Sequence, residues 1–208
     1  MENNEVNEAA PRYYPRMTAE EYLEWERGQE FKHEYHDGEI VVMQGAALNH
    51  NYVNMNLIGP IAMHLRDKPC DVFANDLRTE AKAANSYYYP DIAIVCGEPD
   101  SPDEKRDMIC NPAVVIEVLS PSTRFYDIHR KKPSYMLLPS LKEYIMVDST
   151  SVMVNTIRKK PADSLESGAW ESDVLKDLSG QLTIPTIGLS IPLSEIYRKV
   201  DFNRRSRL

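Results

Sequence analysis

Two acidic residues stand where a folded chain gains nothing from a bare charge. Asp91 opens the run Asp-Ile-Ala-Ile-Val, and Glu117 lies inside Ala-Val-Val-Ile-Glu-Val-Leu. Strand side chains alternate between faces, so Val115, Glu117 and Leu119 share one. A carboxylate in such a run loses its hydration and needs a cation, an arginine or backbone amides in exchange. If the two runs are antiparallel neighbours, the start of one lies beside the end of the other. Asp91 and Glu117 then converge at one edge of a sheet. Two carboxylates there, with a peptide carbonyl and waters, suit octahedral magnesium or manganese. The competing reading is structural: a buried acid paired with Arg124 or Lys131.

A second constellation follows in the chain. Asp127, Lys131 and Tyr135 fall at i, i+4 and i+8, one face of a helix. A short Ser-Pro-Ser-Thr turn separates that helix from Glu117, so its first turns can lie over the carboxylates. A lysine there would orient an attacking water or neutralise charge developing on a phosphorane-like transition state. The plain alternative is a solvated Asp–Lys pair contributing roughly a few tenths of a kcal/mol. Glu34 reaches the same cleft if its hairpin borders it. His50, at the start of a helix, is placed to contact a phosphate, the plain alternative being an exposed or capping histidine. His33 and His36 flank Glu34 on different strand faces, which speaks against a shared metal. Ser120 and Ser122 lack the context of a nucleophilic serine. No phosphate-binding glycine loop is present. A retaining glycosidase also uses paired carboxylates, but with a larger, aromatic-rich cleft.

The elements that must position these residues can be read in outline. Thr18-Ala-Glu-Glu21 is a capping box, so a helix is predicted from Ala19 to about Arg27. Asp37-Gly38 between extended runs marks a hairpin with strands near 32–36 and 39–43. Asn49 is expected to cap a second helix, where Val53, Leu57, Ile61 and Leu65 form an apolar stripe, widened by Ile58 and Ala62, that ends before Pro69. Further strands are expected over 71–81 (one or two), 87–96, 113–120 and 143–147, with an edge strand over 152–158. Residues 97–111 read as a loop. Ser122 or Thr123 is expected to cap a helix reaching about Leu138, with Pro133 kinking it or delaying its start. Short strands and a short helix at 193–197 complete the order. The whole reads as an α/β or α+β fold: a loose arm over 1–16, a single domain over 17–200 and a basic tail over 201–208.

Composition narrows the function classes. The chain has 208 residues, 42% hydrophobic and 27% charged, enough for one substantial core. No apolar run approaches the roughly 20 residues of a membrane span, and the polar, acidic N-terminus lacks a secretory pattern, so a cytoplasmic location is expected. A net charge of −8 argues against a module held to nucleic acid by a basic face. It leaves room for an enzyme that meets phosphates through a divalent cation. Three cysteines, without CxxC spacing, speak against a disulfide framework or a zinc site, and Cys96 reads as a core thiol.

The segments Met17-Thr-Ala-Glu-Glu-Tyr-Leu-Glu-Trp-Glu26, His33-Glu-Tyr-His-Asp-Gly-Glu-Ile-Val-Val-Met43, Asn49-His50, Val72-Phe-Ala-Asn-Asp-Leu-Arg78, Tyr87-Tyr-Tyr-Pro-Asp-Ile-Ala-Ile-Val-Cys96, Val114-Val-Ile-Glu-Val-Leu-Ser-Pro-Ser-Thr-Arg-Phe-Tyr-Asp127 and Leu138-Pro-Ser-Leu-Lys-Glu-Tyr-Ile-Met-Val-Asp-Ser149 carry a resemblance over about residues 17–200. The chain resembles the Uma-two family of restriction-endonuclease-like proteins, within the PD-(D/E)xK nuclease superfamily. The resemblance implies a central mixed sheet flanked by helices. It implies Mg2+ or Mn2+ held by Asp91 and Glu117, a catalytic lysine and hydrolysis of DNA leaving a 5′-phosphate. It also implies a homodimer. The superfamily lysine two residues after the glutamate is Leu119 here, and Lys131 matches the place to which it migrates in similar families. Glu34 matches an early glutamate that adds a water-mediated ligand. His50 and Tyr135, taken as substrate-binding, and Asp76 also match family positions. Relatives read Asp-x-Gly-Glu-Lys at the lysine, whereas this chain reads Asp127-Ile-His-Arg-Lys131-Lys-Pro, so Lys132 is a competing lysine. A non-catalytic metal- or partner-binding protein that retains the fold is the alternative expectation, and a structural homodimer with core ion pairs is a third.

Overall fold

A computed structural model describes residues 14–160 and 168–203; of the expected arm over 1–16 and tail over 201–208, residues 1–13 and 204–208 lie outside the described residues. The first helix, α1 (Ala19–Glu26), starts at the capping box: Thr18 accepts from the Glu21 backbone and Glu21 returns the bond. A hairpin follows, β1 (His33–His36) and β2 (Glu39–Val42). Asp37 and Gly38 both have positive φ, as the tight turn requires. Helix α2 (Leu48–Leu65) is capped by Ala47 and not, as expected, by Asn49. The Asn49 side chain instead bonds both ways with the backbone of Asp201, fastening the chain's end to the helix.

Strands β3 (Cys70–Ala74), β4 (Arg78–Ala81), β5 (Ser86–Tyr88) and β6 (Ile92–Cys96) come next. The run expected as one strand over 87–96 is thus two, broken at Tyr89–Asp91. The loop over 97–111 contains a two-residue strand, β7 (Met108–Ile109). After β8 (Val114–Leu119) the chain coils as α3 (Arg124–Tyr126), a wide π turn (Asp127–Lys131) and α4 (Lys132–Met136). Pro133 has no N–H for the His129 carbonyl, so the regular ladder cannot run through this point. Thr123 precedes α3 without a side-chain cap. Strands β9 (Glu143–Asp148), β10 (Val154–Lys159), β11 (Trp170–Leu175), β12 (Gln181–Ile184) and β13 (Leu189–Pro192) and helix α5 (Leu193–Ile196) complete the described chain.

The central sheet is mixed, in the order β11-β10-β9-β8-β6-β3. Its β8–β9 pair is parallel and β6–β8 is antiparallel. Strand β10, read from its alternation as an edge, is paired on both sides. A second sheet runs β2-β1-β5-β4-β7, and β12-β13 form a separate hairpin. Helix α2 packs Val53, Leu57, Ile61 and Leu65 onto one face of the central sheet, against Ile92, Ile94, Ile116 and Val118. The opposite face carries Val115, Leu119, Tyr144 and Met146 and is covered from the α3–α4 segment by Tyr135 and Leu138. A third cluster, Tyr22, Tyr35, Tyr87 and Met108, joins α1 to the second sheet. Among the described residues no helix is long and apolar enough to cross a membrane.

Cysteine usage departs from the sequence reading. Cys70 and Cys96 stand directly opposite on β3 and β6 and are joined by a disulfide, with Cys110 free. Residues so far apart in sequence gave no spacing signal, and strand register alone brings them together. The bridge closes a separation of 26 residues. Loop-closure reasoning assigns such a bond about 3 kcal/mol. Thermal melts with and without a dithiol should show the reduced protein destabilised, and Cys70→Ser should match it. Superimposable melts of oxidised and reduced protein would refute the bridge.

Candidate active site

The site lies where the two sheets meet. Strand β5 belongs to one sheet and β6 to the other, and only Tyr89, Pro90 and Asp91 separate them. Strand β6 lies antiparallel to β8 with Ile92 opposite Ile116, so Asp91, one step earlier, faces Glu117. The Asp91 N–H points at Glu117 Oε2 at 3.4 Å, and the Val118 N–H donates to Asp91 Oδ2 at 2.7 Å. The sequence-derived convergence of the two acids is therefore the observed geometry.

Glu117 shares its face with Val115 and Leu119, beneath the π turn. Lys131 reaches down from that turn. Its Nζ lies 2.8 Å from Glu34 Oε1, 3.4 Å from Glu117 Oε1 and 3.4 Å from Asp127 Oδ1. Glu34 comes from β1 in the second sheet and also accepts the Tyr89 N–H at 3.0 Å. Asp127 and Lys131 are thus no solvated surface pair: both are buried, at 3% and 5% exposure. Lys132 is half-buried and outside the cluster. Of the two lysines, Lys131 is the one that faces the carboxylates.

Charge at the site is unbalanced. Glu34, Glu117 and Asp127 share one ammonium, and Asp91 lies beside Glu117 with His50 as its partner. Burial pushes the Glu117 carboxyl well above its ordinary value; Lys131 pulls against that rise, and Asp127, Asp91 and Glu34 add to it. Glu34 and Asp127 are raised as well, again by burial first. Burial alone would depress the Lys131 ammonium, but Glu117, Glu34 and Asp127 override it and drive it well up. The lysine stays charged, and the acids compete for too little positive charge.

The remaining candidates fall into two groups. His50, in the first turn of α2, sits with Nε2 3.0 Å from Asp91 Oδ1, while its Nδ1 is buried without a partner. Burial lowers its imidazole, and Asp91, with help from Asp127 and the Val118 backbone, raises it above its ordinary value. It therefore touches the carboxylate directly. Tyr135 is fully buried beneath Lys131, with an unpartnered hydroxyl, and forms the floor of the site, away from any opening. Asp76 is exposed and pairs with Lys32, outside the cluster. Arg124, considered as a partner for the buried acids, pairs with Asp148 instead. His33 binds Glu26 and Tyr14, and His36 binds Tyr88, so the two histidines serve separate places. Ser120 and Ser122 bond to one another.

Tyr126 is a site residue that the sequence reading missed. Its hydroxyl is buried and unpartnered, in the field of Glu34 and Lys131. No spacing rule points to it, because it lies one residue before Asp127 and reaches the cluster only through the local coil of the helix.

Among the described residues no group of three or more His, Cys, Asp or Glu side chains is arranged to hold a metal ion. The donor set suits a different kind of site. Asp91 and Glu117 offer adjacent hard oxygens, and the cluster has an excess of negative charge. Both features fit a small hard dication that keeps most of its waters.

Lys131→Met would leave Glu34, Glu117 and Asp127 buried without their cation. Removing one partner from such a network costs about 3–5 kcal/mol. Lys132→Met should stay within about 0.5 kcal/mol of the parent. Denaturant unfolding of the two variants measures both, and equal losses would contradict the assignment of Lys131.

The chain is similar to a described family, to two relatives and to a solved structure. A family described as "Putative restriction endonuclease", Uma2, matches residues 19–193. The uncharacterized protein slr1290 of Synechocystis sp. is 35% identical over 190 residues, covering 91% of this chain and 95% of the relative. A second Synechocystis protein, sll1609, is 33% identical over 143 residues, covering 69% of this chain and 81% of the relative. The crystal structure of a "putative nuclease belonging to DUF820" from Anabaena variabilis superposes with a TM-score of 0.70 at 17% identity, covering 87% of this chain and 97% of that one. It shares the fold. With that fold and a match over nearly the whole domain, the chain belongs to the Uma2 family.

Proposed function

We propose that this protein is a metal-dependent endonuclease that hydrolyses phosphodiester bonds in DNA, working as a homodimer. The observation that carries the reading is the seam between the sheets, where Asp91 and Glu117 stand side by side within a cluster short of positive charge. Membership of a family described as restriction endonucleases supports the same reaction class. Asp91 and Glu117 would hold Mg2+ or Mn2+, which when bound supplies Lewis acidity and a more acidic water.

The chain's own groups do the rest. His50 and the Val118 N–H fix the two oxygens of Asp91, so the carboxylate is oriented before any ligand arrives. Glu34 holds Lys131 from the far side, and Lys131 would place its ammonium against a water or a phosphoryl oxygen. Tyr135, Tyr88 and Tyr144 wall off the floor and keep bulk water out.

A second reading has its own support. Lys131 already sits among the carboxylates, and the expected Gly-Glu before the lysine is His129-Arg130 here. A binding protein that keeps the fold without turnover would show metal uptake by calorimetry and no cleavage of any nucleic acid.

Incubation of DNA with Mg2+ or Mn2+ should give cleavage that Asp91→Ala and Glu117→Gln each reduce at least a hundredfold, without loss of the folded state. Activity retained in both variants would end the hydrolase proposal.

The pH dependence has a defined sign. Glu117 is raised above its unfolded value, so the native state takes up its proton more readily, and native stability falls as pH rises through the interval above 4.5. A dication needs the carboxylate form and restores stability on the alkaline side of that interval. The upshift in melting temperature given by Mn2+ should therefore be large at about pH 8 and shrink towards about pH 5. An upshift that is constant across that range would contradict the coupling.

A further inference from the structure

The outer face of α2 has a composition that a surface helix rarely shows. Its 18 residues include no Asp, Glu, Lys or Arg. At the chain's overall share of 27% charged residues, about five would be expected. The inner stripe, Val53, Leu57, Ile61 and Leu65, is packed on the sheet. The outward side nonetheless presents Leu48, Met55 and Met63 at 58%, 63% and 75% exposure, with Gly59 and Ala62 also exposed. Large exposed apolar side chains aligned along one ridge, without charges between them, mark a contact surface.

We infer that this ridge is the interface through which two copies of the chain pair, α2 against α2, antiparallel about a two-fold axis at Gly59. The homodimer itself is part of the function proposed above; the face is read from the helix alone. Charge selects a second copy as the occupant. An isologous contact sets each patch against itself, so any charge near the axis meets its own kind. The body carries a net charge of −8, and from Leu48 to Leu65 the ridge holds no charge, so two such bodies can approach about Gly59 without like charges opposed there; Arg66 lies at the ridge's end.

The side-chain pattern is self-complementary about Gly59. Met55 and Met63 lie four residues to either side, so each would pack on the other in the partner. Tyr52 and Arg66 lie seven to either side, which sets a guanidinium over a phenol ring. A Cβ added at Gly59 would meet nothing within 4 Å, so the helix backbone is bare at the crossing point. Close approach of two helices needs small residues there.

The size of the ridge sets the strength. An 18-residue helix offers a band about 27 Å long and about 10 Å wide. That is less than the roughly 800 Å2 per partner of a standard interface, so a weak, concentration-dependent dimer is expected.

Sedimentation velocity of the whole chain from about 1 to 100 µM should show a monomer–dimer equilibrium. Met55→Glu and Met63→Glu, both at exposed positions, should weaken it at least tenfold with unchanged melting temperatures. In a Cys110→Ser background, Gly59→Cys should form a covalent dimer under mild oxidation, and the background alone should not. A protein that is monomeric throughout the range overturns the inference, whether or not it cleaves DNA. A dimer that neither glutamate weakens places the interface elsewhere and overturns it too. A dimer that the glutamates dissociate but Gly59→Cys fails to cross-link overturns the position of the axis. None of these readouts depends on catalysis, so inactivity towards nucleic acid would count against the nuclease proposal and leave this one standing.

Discussion

A single buried ammonium holds the two halves of this molecule together. Lys131 descends from the helical segment over the central sheet and meets Glu117 of that sheet, Glu34 of the second sheet and Asp127 of its own turn. Each carboxylate alone would be intolerable at its depth, and so would the lysine. Together they are tolerable, and they tie three elements distant in sequence to one point. The tyrosines around them follow from this arrangement. Tyr88, Tyr135 and Tyr144 close the space below and keep the local dielectric low, which makes every charge in the cluster count for more.

The arrangement is not balanced, and the imbalance gives the site its chemical character. One lysine is shared among three carboxylates, and burial leaves Glu117 raised well above its ordinary value. Asp91 differs from the other acids. It sits at the rim, held by His50 on one side and the Val118 amide on the other, with its side chain partly open to solvent. An outer carboxylate held by two partners beside a buried inner one would give the proposed ion one sheltered side and one side open to water and substrate. The chain's net negative charge is no obstacle in such a site, because the attraction for phosphate would come from the ion.

Much of this was legible in the residues, and the parts that were not have identifiable causes. The acids announced themselves because a carboxylate in an apolar strand is costly, and a period of two placed Glu117 on a definite face. The capping box at Thr18 and the Asp37-Gly38 turn are local signals, and both appear as read. The resemblance to the Uma-two family and the mixed sheet with its covering helices are likewise borne out. What failed depends on long-range pairing. A break at Tyr89–Asp91 sends one apparent strand into two sheets, and nothing in the alternation marks it. The Cys70–Cys96 bridge is a matter of register between β3 and β6. Asn49 looked like a helix cap because its type suits one, yet tertiary structure uses it to hold Asp201. The π turn escaped notice for a similar reason: Pro133 signalled a disturbance without revealing that the coil would widen and keep Lys131 facing inward.

The most direct test of the account is a crystal of the full chain soaked in Mn2+ and measured for anomalous scattering. One strong peak is expected within bonding distance of both Asp91 and Glu117, with Lys131 adjacent. A well-ordered site in which those two carboxylates bind no ion, while manganese lodges elsewhere or nowhere, would contradict it.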